Sequence, residues 1–398
     1  MTGVLESVRA HLYPTDDSHR VTNLELFFDL VFVFAITNLT QFMEHDVGGT
    51  TVLEGIITLA LIWFGWCAYT WLGNAAKADE GLLRLAMILA MASMFFVAIS
   101  VPYAFDESSN AAVVLAVAYC VVRLTHLCVY LIVAGDDHQL RSVVLGMLAV
   151  AAVALVVLVT GAVIGGGAQK WWWLTAVTID QLGVYFVRST RWRLTSASHF
   201  AERFGLIVLI AIGESVVGVG LASSTPELTV RVAIALVAGL AIAVALWWLY
   251  FDVVALVAEE VLRASSGVRR ARLARDSYTY IHLPMVGGIV FTAMGLVLLI
   301  EDHGHIDAGR YALYGGIAAY LIAHLLFRWR NIGSINRGRA VVAVLLLIAL
   351  PVMGGLSPLG QLAVPAVLLV GLISYEVHAF REPRERVRHR VPMEESPA

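Results

Sequence analysis

Twenty residues near the start of the chain, NLELFFDLVFVFAITNLTQF (23–42), are apolar enough to cross a bilayer, yet they carry Glu25 and Asp29 one helical turn apart. A helix crossing ~30 Å of hydrocarbon needs roughly 20 apolar residues. A carboxylate turned to lipid costs a few kcal/mol, so the face that holds Glu25, Asp29, Phe32, Ile36 and Thr40 must meet protein or water. Such a stretch cannot be a lone anchor; it demands neighbouring helices.

One relative lies within the chain. HFAERFGLIVLIAIGESVVGVG (199–220) aligns with the first stretch, pairing Phe28 with Phe204, Ala35 with Ala211 and Ile36 with Ile212, 176 residues apart. Hydrophobic residues make up 59% of the chain and charged residues 14%, which excludes a water-soluble domain of this size. Apolar windows of spanning length fall at 24–43, 52–72, 82–104, 111–133, 143–165, 171–188, 200–222, 230–257, 279–300, 310–327, 338–354 and 362–380. The reading is an all-α polytopic membrane protein of about twelve transmembrane helices.

The charges are sorted by side. With a cytoplasmic N-terminus, 22 of the 27 Lys and Arg fall in terminal segments and cytoplasmic loops. Lys170, Arg231 and Arg310 fall on the other side, and Arg123 and Arg203 within spans. The positive-inside rule then places both termini in the cytoplasm, as in a multi-pass protein of the bacterial plasma (inner) membrane. Six spans per half enter in the same orientation, as two parallel six-helix repeats. The expected segments are 1–22, a cytoplasmic N-terminal stretch; 23–190 and 191–380, the two repeats; and 381–398, a disordered cytoplasmic tail. The polar first twenty residues show no cleavage site, so no removed signal peptide is expected. Cys67, Cys120 and Cys128 lie in spans without a CxxC pair, so neither disulfide, metal nor cofactor is expected.

Along the chain, Thr22 and Glu25 form a capping box at the start of the first helix. On that reading Glu25 is a cap, while Asp29 lies about 6 Å deeper. The second span ends in WFGWCAYTW, whose Trp63 and Trp66 sit too deep for an interfacial belt. Arg123 and His126 stand near the centre of the fourth span; an arginine there requires an acid or carbonyl, and Asp180 of the sixth span is a candidate partner. Ser198 is positioned to cap the seventh span, which opens with His199, Glu202 and Arg203. Deeper in it, Glu214 stands among Gly213, Gly218 and Gly220. Asp252 closes the eighth span, and the residues after it (259–278) read as a basic cytoplasmic loop, with a surface helix as the alternative. Pro284 predicts a kink in the ninth span. His324 in the tenth reads as a packing residue.

Together, ELFFDLVFVFAI, WFGWCAYTW with KADEGLLRLAM after it, and HFAERFGLIVLIAIGES followed by WWLYF resemble the bacterial low temperature requirement A (LtrA) family over nearly the whole chain. That resemblance implies a polytopic bacterial membrane protein linked to growth in the cold. Residues 27–37, FFDLVFVFAIT, also resemble the first-helix pattern F-S-D-x-V-F-A-I-A-I-T of the six-helix-repeat potassium channels of lysosomes and bacteria. Phe27, Asp29, Val31, Phe32, Ala35, Ile36 and Thr37 match; Phe28 departs from the serine, and the second half has Gly205 in place of the aspartate. The resemblance implies that first helices line a pore narrowed at Ile36 and Ile212.

The leading expectation is therefore a cation channel or transporter with a pathway lined by the first and seventh helices. Asp29, Glu214 and Thr37 would meet the ion, and Ile36 and Ile212 would form an apolar constriction. Arg123, His126, Asp180, Glu202, Arg203 and Asp252 are the expected buried charge partners. The expected partners are lipid, a monovalent cation or proton and, for a pore, a second copy of the chain; no nucleic acid is expected. A proton-coupled small-solute carrier is the alternative within transport. No HExxH, P-loop or paired-aspartate motif is present, and Val217 stands where a nucleophile elbow needs glycine, so no enzyme is expected. An intramembrane lipid-modifying enzyme or a scaffold for membrane assembly in the cold is the reading from another class.

Overall fold

The computed structural model describes Thr15 and residues 19–186, 194–222, 229–301 and 305–381. The N-terminal stretch before His19 (Thr15 apart), residues 187–193 of the basic connection and the tail beyond Arg381 lie outside the described residues. The helices are α1 Asn23–His45, α2 Gly49–Ala75, α3 Gly81–Ser100, α4 Ala111–Ala134, α5 His138–Ile164, α6 Gln169–Phe186, α7 Ala197–Ala222, α8 Val230–Phe251, α9 Val254–Arg263, α10 Gly267–Leu273, α11 His282–Glu301, α12 Ile306–Ile332, α13 Arg337–Val352 and α14 Pro358–Ala379. Among the described residues, eleven helical runs are long and apolar enough to cross a membrane, by length and composition. α6, the sixth window, is an 18-residue helix outside that set. The molecule is a polytopic helical membrane protein.

Local chemistry sets the helix ends. Thr22 and Glu25 make the capping box: Glu25 N–H donates to Thr22 Oγ1 at 3.3 Å, and Thr22 N–H donates to Glu25 Oε2 at 2.9 Å. Asp137, Thr229, Asn336 and Ser357 cap α5, α8, α13 and α14 in the same sense. At α7 the cap is Ser196 rather than Ser198: its Oγ accepts His199 N–H at 3.2 Å. The helix starts at Ala197, so Ser198 is already inside the first turn.

The chain forms two compact units. One comprises Met1–Arg203 and Ser265–Arg275; the other comprises Phe204–Ala264 and Asp276–Ala398. The residues expected as a basic loop are instead largely helical. Ala258 and Leu262 recur four residues apart and Ala271 and Ala274 three apart, all buried, while Glu260, Arg263, Arg269 and Arg272 are exposed. That amphipathic period gives α9 and α10 a face to bury, which a basic composition alone conceals.

Pro284, which the sequence marks for a kink, stands in the first turn of α11, directly after a widened π turn over Ala274–Ile281. Proline has no N–H to return to the preceding turn. In the π turn the Ser277 carbonyl accepts Nδ1–H of His282 at 2.9 Å, and His282 Nε2 accepts the Tyr250 hydroxyl at 3.0 Å. α11 and α12 pack backbone against backbone. A Cβ on Gly288 would stand 2.6 Å from Gly316 O and 2.7 Å from Tyr320 N, and one on Gly316 2.6 Å from Thr292 N. In a bilayer, where lipid is as apolar as leucine, such small-residue contact replaces hydrophobic drive.

Candidate functional site

In the first unit, the acidic face of α1 is turned wholly into protein. Asp29 is 0% exposed. Its Oδ1 accepts Nε1–H of Trp66 from α2 at 2.8 Å, and Arg203 Nη2 of α7 stands 2.8 Å from the same oxygen. The guanidinium also lies 5.5 Å from the Trp66 ring centroid. The Arg203 contact is ionic without hydrogen-bond alignment. Arg203 Nε, Nη1 and Nη2 and Asp29 Oδ2 are all buried with no hydrogen-bond partner among the described residues. Unmet groups in a low dielectric are expensive, so this pair is held in place at a cost.

One turn earlier, Glu25 does more than cap. Both its oxygens lie near His199 Nε2, at 3.0 and 3.2 Å. Asn74 of α2 fixes the histidine tautomer. Asn74 Oδ1 accepts Thr195 N–H at 2.8 Å and Nδ2 donates to Ser196 O at 2.6 Å, so the amide presents a donor to His199 Nδ1 at 3.4 Å. The proton of His199 therefore resides on Nε2 and is donated to Glu25. Gly73 leaves the room: a Cβ there would stand 2.7 Å from Glu25 Oε1. The His19 ring lies 4.6 Å from that of His199. Burial pushes the His19 imidazole below its ordinary value, helped by the neighbouring His199.

The other residues singled out from sequence are distributed as follows. Arg123 Nη2 of α4 donates to Asp180 Oδ1 of α6 at 2.7 Å, and Gln181 Nε2 donates to Asp180 Oδ2 at 3.0 Å. His126 is buried, 5.8 Å from the Tyr69 ring of α2, and neither ring nitrogen has a hydrogen-bond partner among the described residues. Ile36 is buried, and Thr37 returns its hydroxyl to Val33 O at 3.1 Å. Ile212, Glu214 and Asp252 are buried, and all three belong to the second unit. Glu202 is exposed, which corrects its place among the buried charge partners: it stands about 100° around α7 from the buried Arg203, beyond the edge of the buried face.

The second unit holds a buried network that the sequence did not announce. Arg339 of α13 forks onto Glu376 of α14, Nε to Oε1 and Nη2 to Oε2, both at 2.9 Å. Its Nη1 donates to Leu249 O of α8 at 3.1 Å and to His324 Nδ1 of α12 at 3.0 Å. Tyr250 of α8 lies 5.8 Å from the His324 ring. A cavity of about 220 Å³ adjoins this network, with Asp252, Arg328 and Trp248 on its wall.

His19, Trp66, Gly73 and Asn74 were missed as site residues. The one signal for them was negative: Trp66 lies too deep for a membrane interface, and a buried indole N–H needs an acceptor.

Residues 20–374 match the family model described as bacterial low temperature requirement A protein (LtrA). The chain is also 27% identical over 321 residues to an uncharacterized protein of Rhizobium meliloti (strain 1021), covering 78% of this chain and 76% of that one. No solved structure matches.

Proposed function

The chain belongs to the bacterial low temperature requirement A family, and we propose that it moves a monovalent cation or proton across the membrane, with Asp29 and Arg203 as the charge pair that gates the route. What supports this reading is the under-satisfied pair itself. Ionisable residues inside spans mark ion routes and proton relays by default. A pair used only as a staple gains from full hydrogen bonding, whereas one that exchanges partners must leave Asp29 within reach of a competing cation. Arg203 then occupies the carboxylate at rest, and an arriving cation takes its place. Ile36, buried two turns further along the face of α1 that carries Asp29, is the apolar residue that narrows such a route.

The two units also share an arrangement that supports reading them as repeats. In each, a tyrosine of the second span lies 5.8 Å from a buried histidine of the fourth: Tyr69 with His126, and Tyr250 with His324. In each, a buried arginine, Arg123 of the fourth span or Arg339 of the fifth, pairs with an acid of the sixth span, Asp180 or Glu376. A small-solute carrier is the second reading, favoured by the cavity beside Arg328 and Asp252.

The test uses purified full-length protein in liposomes. Potassium and proton fluxes above those of empty vesicles are expected, with Asp29→Asn lowering them about tenfold or more by removing the acceptor charge. Wild-type flux equal to that of empty vesicles overturns the reading. Uptake of a solute driven by a pH gradient, without uncoupled flux, favours the carrier.

A further inference from the structure

We propose that His19, Glu25 and His199 together bind one divalent transition-metal ion, with zinc the best match to the donors. The proposal concerns the cluster beside the gating pair. It rests on the transport reading only for the ion's role, not for its binding.

The three donors come from three separate pieces of chain: the segment before α1, the first turn of α1 and the first turn of α7. One donor atom from each lies within 4.8 Å of the other two. Two imidazoles and a carboxylate are a set that zinc takes when a fourth position stays open. Ligands at ~2.0–2.2 Å from a tetrahedral ion stand roughly 3.4 Å apart. His199 Nε2 and Glu25 Oε1, at 3.0 Å, need to separate only slightly to admit the ion, and His19 needs to close in.

Hydrogen bonding alone explains Glu25 and His199 but leaves His19 over. Its Nε2 is buried with no hydrogen-bond partner among the described residues. The Glu25 oxygens divide the work. Oε2 accepts from the Thr22 N–H and hydroxyl, at 2.9 and 3.1 Å, while Oε1, the oxygen nearer to His199 Nε2, takes no hydrogen bond from Thr22 and occupies the space that Gly73 leaves open. Lys77 and Asp79 act on His19 with opposite signs, and the positive charge of Arg203 is matched by Asp29. Metal at His199 Nε2 moves the proton to Nδ1, which then faces the Asn74 Nδ2 donor, so metal binding requires these two groups to draw apart from their 3.4 Å contact. A bound ion ties the chain before α1 to the first turns of α1 and α7, next to Asp29 and Arg203. It is thus placed to regulate the gate.

The experiment uses full-length protein in detergent, stripped of metal with a chelator. Zinc is titrated calorimetrically, and cobalt(II) is titrated by visible absorption. One equivalent per chain is expected, with the intense d–d bands of a four-coordinate cobalt site. His19→Gln should weaken zinc binding about 100-fold while leaving the metal-free melting temperature unchanged, because its Nε2 supports no hydrogen bond in the fold. Gly73→Ala should weaken binding comparably by displacing Glu25 Oε1. Absence of stoichiometric binding by the wild type overturns the proposal, as does equal affinity in both variants. Metal binding without cation flux sinks the transport reading alone; flux without metal binding sinks the metal site alone.

Discussion

Arg203 in the first unit and Arg339 in the second are both buried among helices and both paired with an acid, but they are satisfied to different degrees. Arg339 forks onto Glu376 and donates to Leu249 O and His324, so one guanidinium fastens α8, α12, α13 and α14. Arg203 approaches Asp29 at 2.8 Å with no N–H aligned. The contrast separates two uses of buried charge. A fully bonded pair is a fastener, because every partner it could gain is already present. A partly bonded pair keeps capacity for another ligand, and the sequence around Asp29 spends burial on keeping it there.

The largest expected effect lies at the fastener. Glu376→Ala strands Arg339 and should cost about 3–5 kcal/mol of stability, read as a lowered unfolding midpoint in detergent, whereas the apolar pair Arg339→Met with Glu376→Leu should recover most of it. Gly316→Ala should follow, at about 1–3 kcal/mol, because its Cβ would meet the α11 backbone. Asp29→Asn should cost less, about 1–2 kcal/mol in the same assay, while removing most cation flux. If Asp29→Asn unfolds the protein as severely as Glu376→Ala, the two pairs are equivalent and the distinction fails. Thr22→Ala should be mildest, about 1 kcal/mol from the lost cap. Its sharper use is as a control, since flux through the Asp29 site should persist in it.

Much of the helical layout was legible because it rests on local rules. Apolar runs of spanning length, the Thr22–Glu25 capping box and the glycines flanking Glu214 can all be read over a few residues. Asp29 and Arg123 were legible as residues that needed partners, since a charge at that depth is costly wherever the chain leads. The partners of Asp29 were not legible. Arg203 stands 174 positions away and Trp66 37, and no local pattern encodes that distance. His19 was hidden because it precedes the apolar run, in a stretch that composition alone reads as a solvated leader. α9 and α10 were masked by their arginines, which line the outer face of short helices that bury only two residues each. Arg339 was counted as a surface charge near a helix start, and only the packing of four helices around it reveals otherwise.

The seam between α11 and α12 has a mechanical consequence. Two helices whose glycines let one backbone rest on the other have no lubricating layer of side chains between them. Sliding by one residue would drive a Cβ or a carbonyl into the facing chain. Within the second unit they therefore behave as a single stiff strut, and any motion there must be taken up at other joints, such as the π turn before Pro284. A covalent tether across the seam should cost the molecule nothing, because it would forbid a movement that the glycines already forbid.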